Sequence, residues 1–176
     1  IKIIMDLVVN HTSDEHPWFK AAIADPTSKY RNYYIFKHGK DGRAPTNWRS
    51  IFGGSVWQKV TEDEYYFHAF SKKQPCLNWE NPVLRQEIYQ MINWWLDKGI
   101  DGFRVDAISH IKKEEGLLDM PNPDGLQYVE SFDKHMNVNG IHKYLAELKE
   151  KTFDNYDIMT VGEANGVDAE EADLWV

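Results

Sequence analysis

Three short apolar runs alternate with helical patterns along the chain, and this order constrains the fold more than any other feature. The runs are "IKIIMDLVV" at 1–9, "IDGFRVDAI" at 100–108 and "YDIMTVGEA" at 156–164. Nearly continuous apolar runs with β-branched residues are typical of strands in a parallel sheet that is covered on both faces. The order strand, insertion, helix, strand, loop, helix, strand therefore predicts an α/β fold.

The helical segments between these runs carry recognisable start and stop signals. The clearest helix is capped by Asn81, has proline in its first turn and stops at Gly99. A second helix is predicted over about 139–151, and a short one at 16–24. The apolar face of the clearest helix is expected to contain Leu84, Ile88, Met91, Ile92, Trp95 and Leu96.

The same patterns predict three segments. Residues 1–11 are the first strand and its end, and 82–176 continue the α/β pattern. Residues 12–81 alternate turn-rich and aromatic pieces, which indicates a small irregular subdomain. Because the chain opens inside an apolar run and closes without a polar tail, we expect it to be part of a longer polypeptide.

Composition excludes several classes of partner. The chain has 20 Lys and Arg against 28 Asp and Glu, a net charge of -8, with its lysines dispersed among acids. This argues against nucleic acid and against an anionic membrane surface. No apolar run approaches the roughly 20 residues of a membrane helix. The single Cys76 excludes an internal disulfide and favours a cytoplasmic protein.

Charged residues lie inside the second apolar run, where an isolated ion would be costly to bury. Arg104 and Asp106 are two residues apart, so they share one face of the predicted strand. A paired Arg and Asp is tolerated at the carboxyl end of a strand beside a polar cavity, which is where the active sites of α/β barrels open. A purely structural ion pair is the alternative.

The other two strands also end in ionisable groups, with Glu163 after the third and Asp6, Asn10 and His11 on the first. Two carboxylates at one rim suit glycoside hydrolysis, which needs an ionised nucleophile and a protonated acid. The guanidinium would keep Asp106 ionised. Glu163 has no basic neighbour in sequence and is the better candidate for the acid.

Four motifs then resemble, in order and spacing, those of the α-amylase superfamily of glycoside hydrolases. They are "DLVVNHTSDEHPWF", "QPCLNWENP", "GFRVDAISHIKK" and "TVGEA", and the likeness to the oligo-1,6-glucosidase and α-glucosidase branch spans essentially all 176 residues. The resemblance implies part of a (β/α)8 TIM barrel, about strands 3 to 5, with a small domain inserted after the third strand.

The resemblance also implies roles for individual residues. Asp106 would be the nucleophile, Glu163 the general acid/base, Arg104 the group that steadies the nucleophile, His11 a hydrogen-bonding group for the sugar, and Asp6 mainly structural. Retaining hydrolysis of terminal α-1,6 or α-1,4 bonds in short gluco-oligosaccharides follows, through a covalent glucosyl intermediate and without a cofactor. The family's third carboxylate lies beyond residue 176, so the chain alone is expected to be inactive.

Further positions bear on the substrate. Ala107 follows the nucleophile, where the branch tends to have Val in α-1,6-specific members, so α-1,4 substrates are also expected. Cys76 stands where the branch usually has Asp. Most aromatic residues are expected in the core, and Phe67 and its neighbour His68 are the first candidates for contact with a sugar.

Other interpretations remain open. The cluster His11, Asp14, Glu15 and His16 matches no zinc spacing, so no metal is expected. A non-catalytic interaction module, like the transporter heavy chains that resemble these enzymes, would not need the intact set of His11, Arg104, Asp106 and Glu163. A transglucosylase or isomerase would use the same site with a sugar as acceptor.

Overall fold

A computed structural model describes residues 1–175, which fold into two compact units. The first unit comprises residues 1–10, 79–112 and the segment from 136 onward, and the second comprises 11–78 and 113–135. The segment 113–135 therefore packs with the second unit, whereas the sequence patterns grouped it with the α/β continuation. Tertiary contacts determine where the segment 113–135 packs, and local sequence patterns do not predict such contacts.

The regular elements follow the predicted order. The strands are β1 (Ile4–Val8), β2 (Phe36–His38), β3 (Trp57–Lys59), β4 (Glu64–Phe67), β5 (Gly102–Asp106) and β6 (Met159–Gly162). The helices are α1 (Pro17–Ala24), α2 (Pro82–Asp97) and α3 (Ile141–Lys151). Short 3-10 helices occupy Arg31–Tyr33, Ile108–His110, Phe132–Lys134, Phe153–Asn155 and Ala172–Trp175.

A parallel sheet with the strand order β1-β5-β6 forms the first unit's centre. Asp6 lies opposite Arg104, and Val105 lies opposite Gly162. Parallel pairing with helical crossovers confirms the predicted α/β class, and it brings the carboxyl ends of all three strands to one edge.

The caps of α2 and α3 set where these helices begin. The Asn81 side chain accepts the Val83 N–H at 2.9 Å, which confirms the predicted N-cap of α2. α3 begins at Ile141, two residues later than predicted, because Gly140 has a left-handed φ of 86°. The two helices of this unit are joined by Arg85, whose Nε lies 3.1 Å from Glu147 Oε2.

The buried face of α2 differs from the predicted one at three positions. Met91 is 37% exposed and Trp95 is only half-buried, whereas Tyr89 is buried. The buried residues of this helix are Leu84, Ile88, Tyr89, Ile92 and Leu96. The buried stripe is therefore about as wide as the predicted one, but it is rotated around the helix towards Tyr89.

An antiparallel sheet with the order β2-β4-β3 forms the second unit, together with α1. Its core is aromatic and includes Trp48, Trp57, Phe67 and the thiol of Cys76. The indole N–H of Trp48 donates to the Leu118 carbonyl at 2.8 Å, so the segment 113–135 is tied to this core. None of the helices in residues 1–175 combines the length and the apolar character needed to cross a bilayer.

Gly102 allows β5 and β6 to approach each other more closely than any other residue would. Its φ is 150°, and a Cβ at this position would lie 1.8 Å from the Met159 carbonyl oxygen. This oxygen belongs to the backbone of the neighbouring strand, so it cannot move aside without separating the two strands.

We expect Gly102→Ala to lower the free energy of unfolding by at least about 3 kcal/mol, because the added methyl overpacks the sheet. Gly99→Ala is the matched control, since Gly99 has a φ of 87° but open space around its Cβ position. The control measures the cost of backbone strain alone, which we expect to lower the free energy of unfolding by about 1–2 kcal/mol. Urea unfolding of both variants tests this. Equal losses of unfolding free energy in the two variants would show that the close approach of β5 and β6 at Gly102 does not matter.

Candidate active site

One guanidinium contacts three carboxylates at the carboxyl edge of the parallel sheet. Arg104 Nη1 donates to Asp6 Oδ1 at 2.9 Å and to Asp106 Oδ1 at 2.5 Å. Arg104 Nη2 lies 2.9 Å from Glu163 Oε2. The structure therefore brings together four of the residues that the sequence selected, and we call these four the Arg104 cluster.

The backbone explains why these side chains meet. Asp6 and Arg104 are register partners in neighbouring strands, and Asp106 lies two residues along β5 on the same face as Arg104. Glu163 directly follows β6, and its N–H donates to the Val105 carbonyl at 2.9 Å. Three adjacent strands thus each deliver one carboxylate to the same guanidinium.

The charges of the Arg104 cluster do not balance, because three carboxylates share one cation. Two hydrogen bonds raise the pKa of Arg104 well above its usual range. The bond to Asp6 has the largest effect and the bond to Asp106 the second largest, so this side chain stays charged. Asp106 is the least exposed of the three acids, at 24% against 39% for Glu163 and 56% for Asp6. The cluster is therefore an accessible site with excess negative charge.

Glu163 has two partners that the sequence did not reveal. Glu163 has no basic neighbour in sequence, but Arg104 reaches it across the pairing of β5 with β6. Its Oε2 also accepts the Ala107 N–H at 3.0 Å. The two residues are 59 and 56 positions away, respectively, in sequence, so only the sheet topology brings them close.

Ala107 holds a backbone conformation that is unusual for a residue with a side chain. Its φ is 45° and its ψ is 36°, in the left-handed region, and its side chain is buried. This conformation turns the chain sharply after β5 and aims the Ala107 N–H at Glu163. Strained backbone of this kind is concentrated at functional sites. No local sequence signal predicts it, because alanine has no preference for this region.

His11 and Phe67, also selected from the sequence, lie in the second unit. The His11 ring is almost fully buried, with its Nε2 3.0 Å from Gln74 Nε2 and its centroid 5.8 Å from that of Phe70. Phe67 has no exposed surface and packs edge-on against Trp57 and another core tryptophan. The expectation that Phe67 stacks on a sugar is therefore corrected, because its ring faces are covered by the core.

Cys76 also lies in this core, where the sequence pattern led us to expect an altered polar contact. Its Sγ accepts the Ala69 N–H at 3.3 Å. The buried Lys113 is hydrogen-bonded to Cys76, and burial lowers the pKa of its amine despite this contact. Within residues 1–175, no group of three His, Cys, Asp or Glu side chains is arranged to hold a metal ion.

Comparison with known proteins identifies the family of the chain. The family model described as "Alpha amylase, catalytic domain" matches residues 1–176. A probable oligo-1,6-glucosidase from Bacillus subtilis is 63% identical over 99% of this chain and 32% of its own length. An α-glucosidase from Pediococcus pentosaceus is 49% identical over 98% of the chain and 31% of its length. The chain thus spans about a third of the curated relatives it matches.

Solved structures give the same result for the fold. A trehalose-6-phosphate hydrolase from Bacillus licheniformis aligns with a TM-score of 0.89 and 43% identity, over 97% of this chain and 30% of that one. A trehalulose synthase variant aligns with a TM-score of 0.90 and 41% identity, over 100% of this chain and 31% of that one. The parallel strands β1, β5 and β6 are therefore part of a TIM barrel, and the chain belongs to the α-amylase catalytic-domain family.

Proposed function

We propose that the protein containing this chain is a retaining α-glucosidase, which hydrolyses terminal α-1,6 and/or α-1,4 bonds of short gluco-oligosaccharides. The observation that carries the proposal is the contact of one guanidinium with both Asp106 and Glu163. The names of the relatives, oligo-1,6-glucosidase and α-glucosidase, support the same substrate class.

In this mechanism the Asp106 carboxylate attacks the anomeric carbon, and the glycosidic carbon–oxygen bond breaks as the glucosyl ester forms. The Glu163 carboxyl gives its proton to the departing oxygen. Water then attacks the ester, Glu163 takes a proton from this water, and the Asp106 carboxylate leaves. The two inversions at carbon retain the anomeric configuration.

The charge of the Arg104 cluster suits the transition state of this reaction. The sugar ring develops positive charge like that of an oxocarbenium ion. With Glu163 protonated at the start of the step, Asp6 and Asp106 against one guanidinium leave net negative charge where this cation forms, and Glu163 adds its own charge as it gives up its proton. Arg104 holds the Asp106 oxygen in place, and the Ala107 N–H holds Glu163, so neither carboxylate has to reorganise during the step.

His11 is proposed to hydrogen-bond the glucose ring being cleaved. This role comes from its motif position at the end of the first strand, and its imidazole offers a donor or an acceptor. The Gln74 amide nitrogen, 3.0 Å from its Nε2, would help to orient the ring.

A transglucosylase or isomerase is the second candidate function. The alignment with a trehalulose synthase at 41% identity favours it, since that relative is named for making a disaccharide. The first chemical step would be unchanged, and the hydroxyl of a sugar would replace water in the second step. Analysis of products from sucrose and maltose distinguishes the two, because a transglucosylase forms new disaccharides where a hydrolase releases glucose.

Replacement of the proposed nucleophile should abolish the reaction. We expect Asp106→Asn, in the protein that contains this chain, to lower kcat for glucose release from maltose and isomaltose by about 10⁴-fold or more. The control is Asp154→Asn, which makes the same change at an exposed position in the first unit. Undiminished release by Asp106→Asn would remove Asp106 from the mechanism.

The three-way contact of the guanidinium should be hard to replace. A lysine keeps the charge of Arg104 but cannot bind three carboxylates in this geometry. We expect Arg104→Lys to lower kcat about 100-fold with a smaller change in KM, whereas Arg49→Lys, which alters an exposed pair with Glu130, leaves both unchanged. If KM rises and kcat stays constant, Arg104 binds substrate and does not position the carboxylates.

The residue after the proposed nucleophile should influence which linkage is cleaved. We expect Ala107→Val to raise the ratio of isomaltose to maltose hydrolysis about tenfold, because the larger buried side chain shifts the turn that follows Asp106 and so changes the shape of the site. Ala107→Gly is the control, since it relieves the positive φ without adding side-chain volume. Parallel measurement of kcat/KM on both sugars tests this, and an unchanged ratio in Ala107→Val would show that the linkage is selected elsewhere.

A further inference from the structure

The second unit contains a polar pocket to which the proposed reaction assigns no role. Its volume is about 490 Å³, and it lies between the turn at 40–44, the strand β3 and the segment 119–128. Small-molecule sites occupy roughly 300–1,000 Å³, so this pocket has the size of a binding site. None of the residues lining it belongs to the Arg104 cluster.

Three cations line this pocket, in a chain with a net charge of -8. They are Lys40, Arg43 and Lys59, and among the residues from 1 to 175 none of them forms an ion pair. The acid in the lining is Asp119, and its Oδ1 accepts the Asn47 N–H at 2.8 Å. The pocket therefore offers more positive charge than its own residues neutralise.

Two of the cations are held side by side by the backbone. Lys40 and Arg43 exchange N–H to carbonyl hydrogen bonds of 3.0 Å in both directions, as a hydrogen-bonded antiparallel pair does. The side chains of such a pair lie on the same face, and like charges in this arrangement repel each other. An anion bound between them would remove this repulsion.

Uncharged groups complete the lining. Tyr128 is half-buried at the pocket, and its phenol lies 3.4 Å from Gln127 Nε2. Gln58 provides a second amide, and the buried Trp57 forms part of the wall. Aromatic faces with nearby amides are suited to a sugar ring and its hydroxyls.

The wall that carries Asp119 is held in place before any ligand binds. Asn47 Nδ2 donates to the Met120 carbonyl, and Asn47 Oδ1 accepts the Met120 N–H, both at 2.8 Å. This reciprocal pair fixes the segment that carries Asp119 and leads to Tyr128. Little conformational entropy would be lost on binding at this wall.

We propose that this pocket binds a phosphorylated monosaccharide, with the phosphate between Lys40, Arg43 and Lys59 and the ring against Tyr128. The shared chemistry is a phosphate group, whose source is either a sugar phosphate or free inorganic phosphate. The three cations neutralise its charge of about -1.5 to -2 at pH 7, and the amides and the aromatic ring distinguish the ester from the free ion. The site would let a phosphorylated sugar bind the protein without being its substrate.

Titration calorimetry of the whole protein with glucose 6-phosphate, glucose and inorganic phosphate tests the proposal. We expect glucose 6-phosphate to bind at least tenfold more tightly than either of the other two. The double variant Lys40→Gln, Arg43→Gln should weaken this binding at least tenfold, and Lys59→Gln should weaken it independently. Lys143→Gln, which makes the same single charge change as Lys59→Gln but on α3, should leave the affinity unchanged.

Equal affinity for glucose and glucose 6-phosphate would overturn the proposal, as would equal affinity for inorganic phosphate and the ester. The proposal would also be overturned if the double variant and Lys59→Gln both bound glucose 6-phosphate with full affinity. An unchanged thermal unfolding midpoint would show that both variants are folded. Binding is measured without hydrolysis, and glucose 6-phosphate has no glycosidic bond. A negative result for the phosphate site would therefore say nothing against the activity proposed for Asp106 and Glu163.

Discussion

The guanidinium of Arg104 is the point on which the chemistry of the first unit depends. It contacts one carboxylate from each of three neighbouring strands, so it fixes their positions relative to one another. The position of Ala107 has the same effect from the backbone side, because its N–H holds Glu163. Every step proposed for Asp106 and Glu163 presumes that these two anchors hold the carboxylates still.

This arrangement is better explained by chemistry than by stability. All four side chains of the Arg104 cluster are 24% to 56% exposed, and ion pairs with that exposure contribute little to folding. Ala107 meanwhile accepts a left-handed φ that costs free energy. A sequence selected only for stability would place glycine at 107 and fewer acids around one arginine, and a compromise of this kind is what the proposed catalysis would require.

Local patterns predicted much of the fold and of the candidate site. The cap of α2 and the parallel class of the sheet follow from short-range chemistry, and so does the shared face of Arg104 and Asp106. The contact between Arg104 and Glu163 could not be predicted in this way, because it depends on which strands are neighbours. The burial of Phe67 was missed for the same reason, since its ring is covered by residues distant in sequence.

The register of the parallel sheet has a consequence for how the chain folds. Side chains alternate between faces, so a slip of one residue between β1 and β5 would turn Asp6 away from Arg104. The same slip between β5 and β6 would displace the backbone that presents Glu163. A misaligned sheet would leave Arg104 with Asp106 but would separate it from Asp6 or Glu163, so the charges of the proposed active site also penalise wrong alignments while the chain is folding.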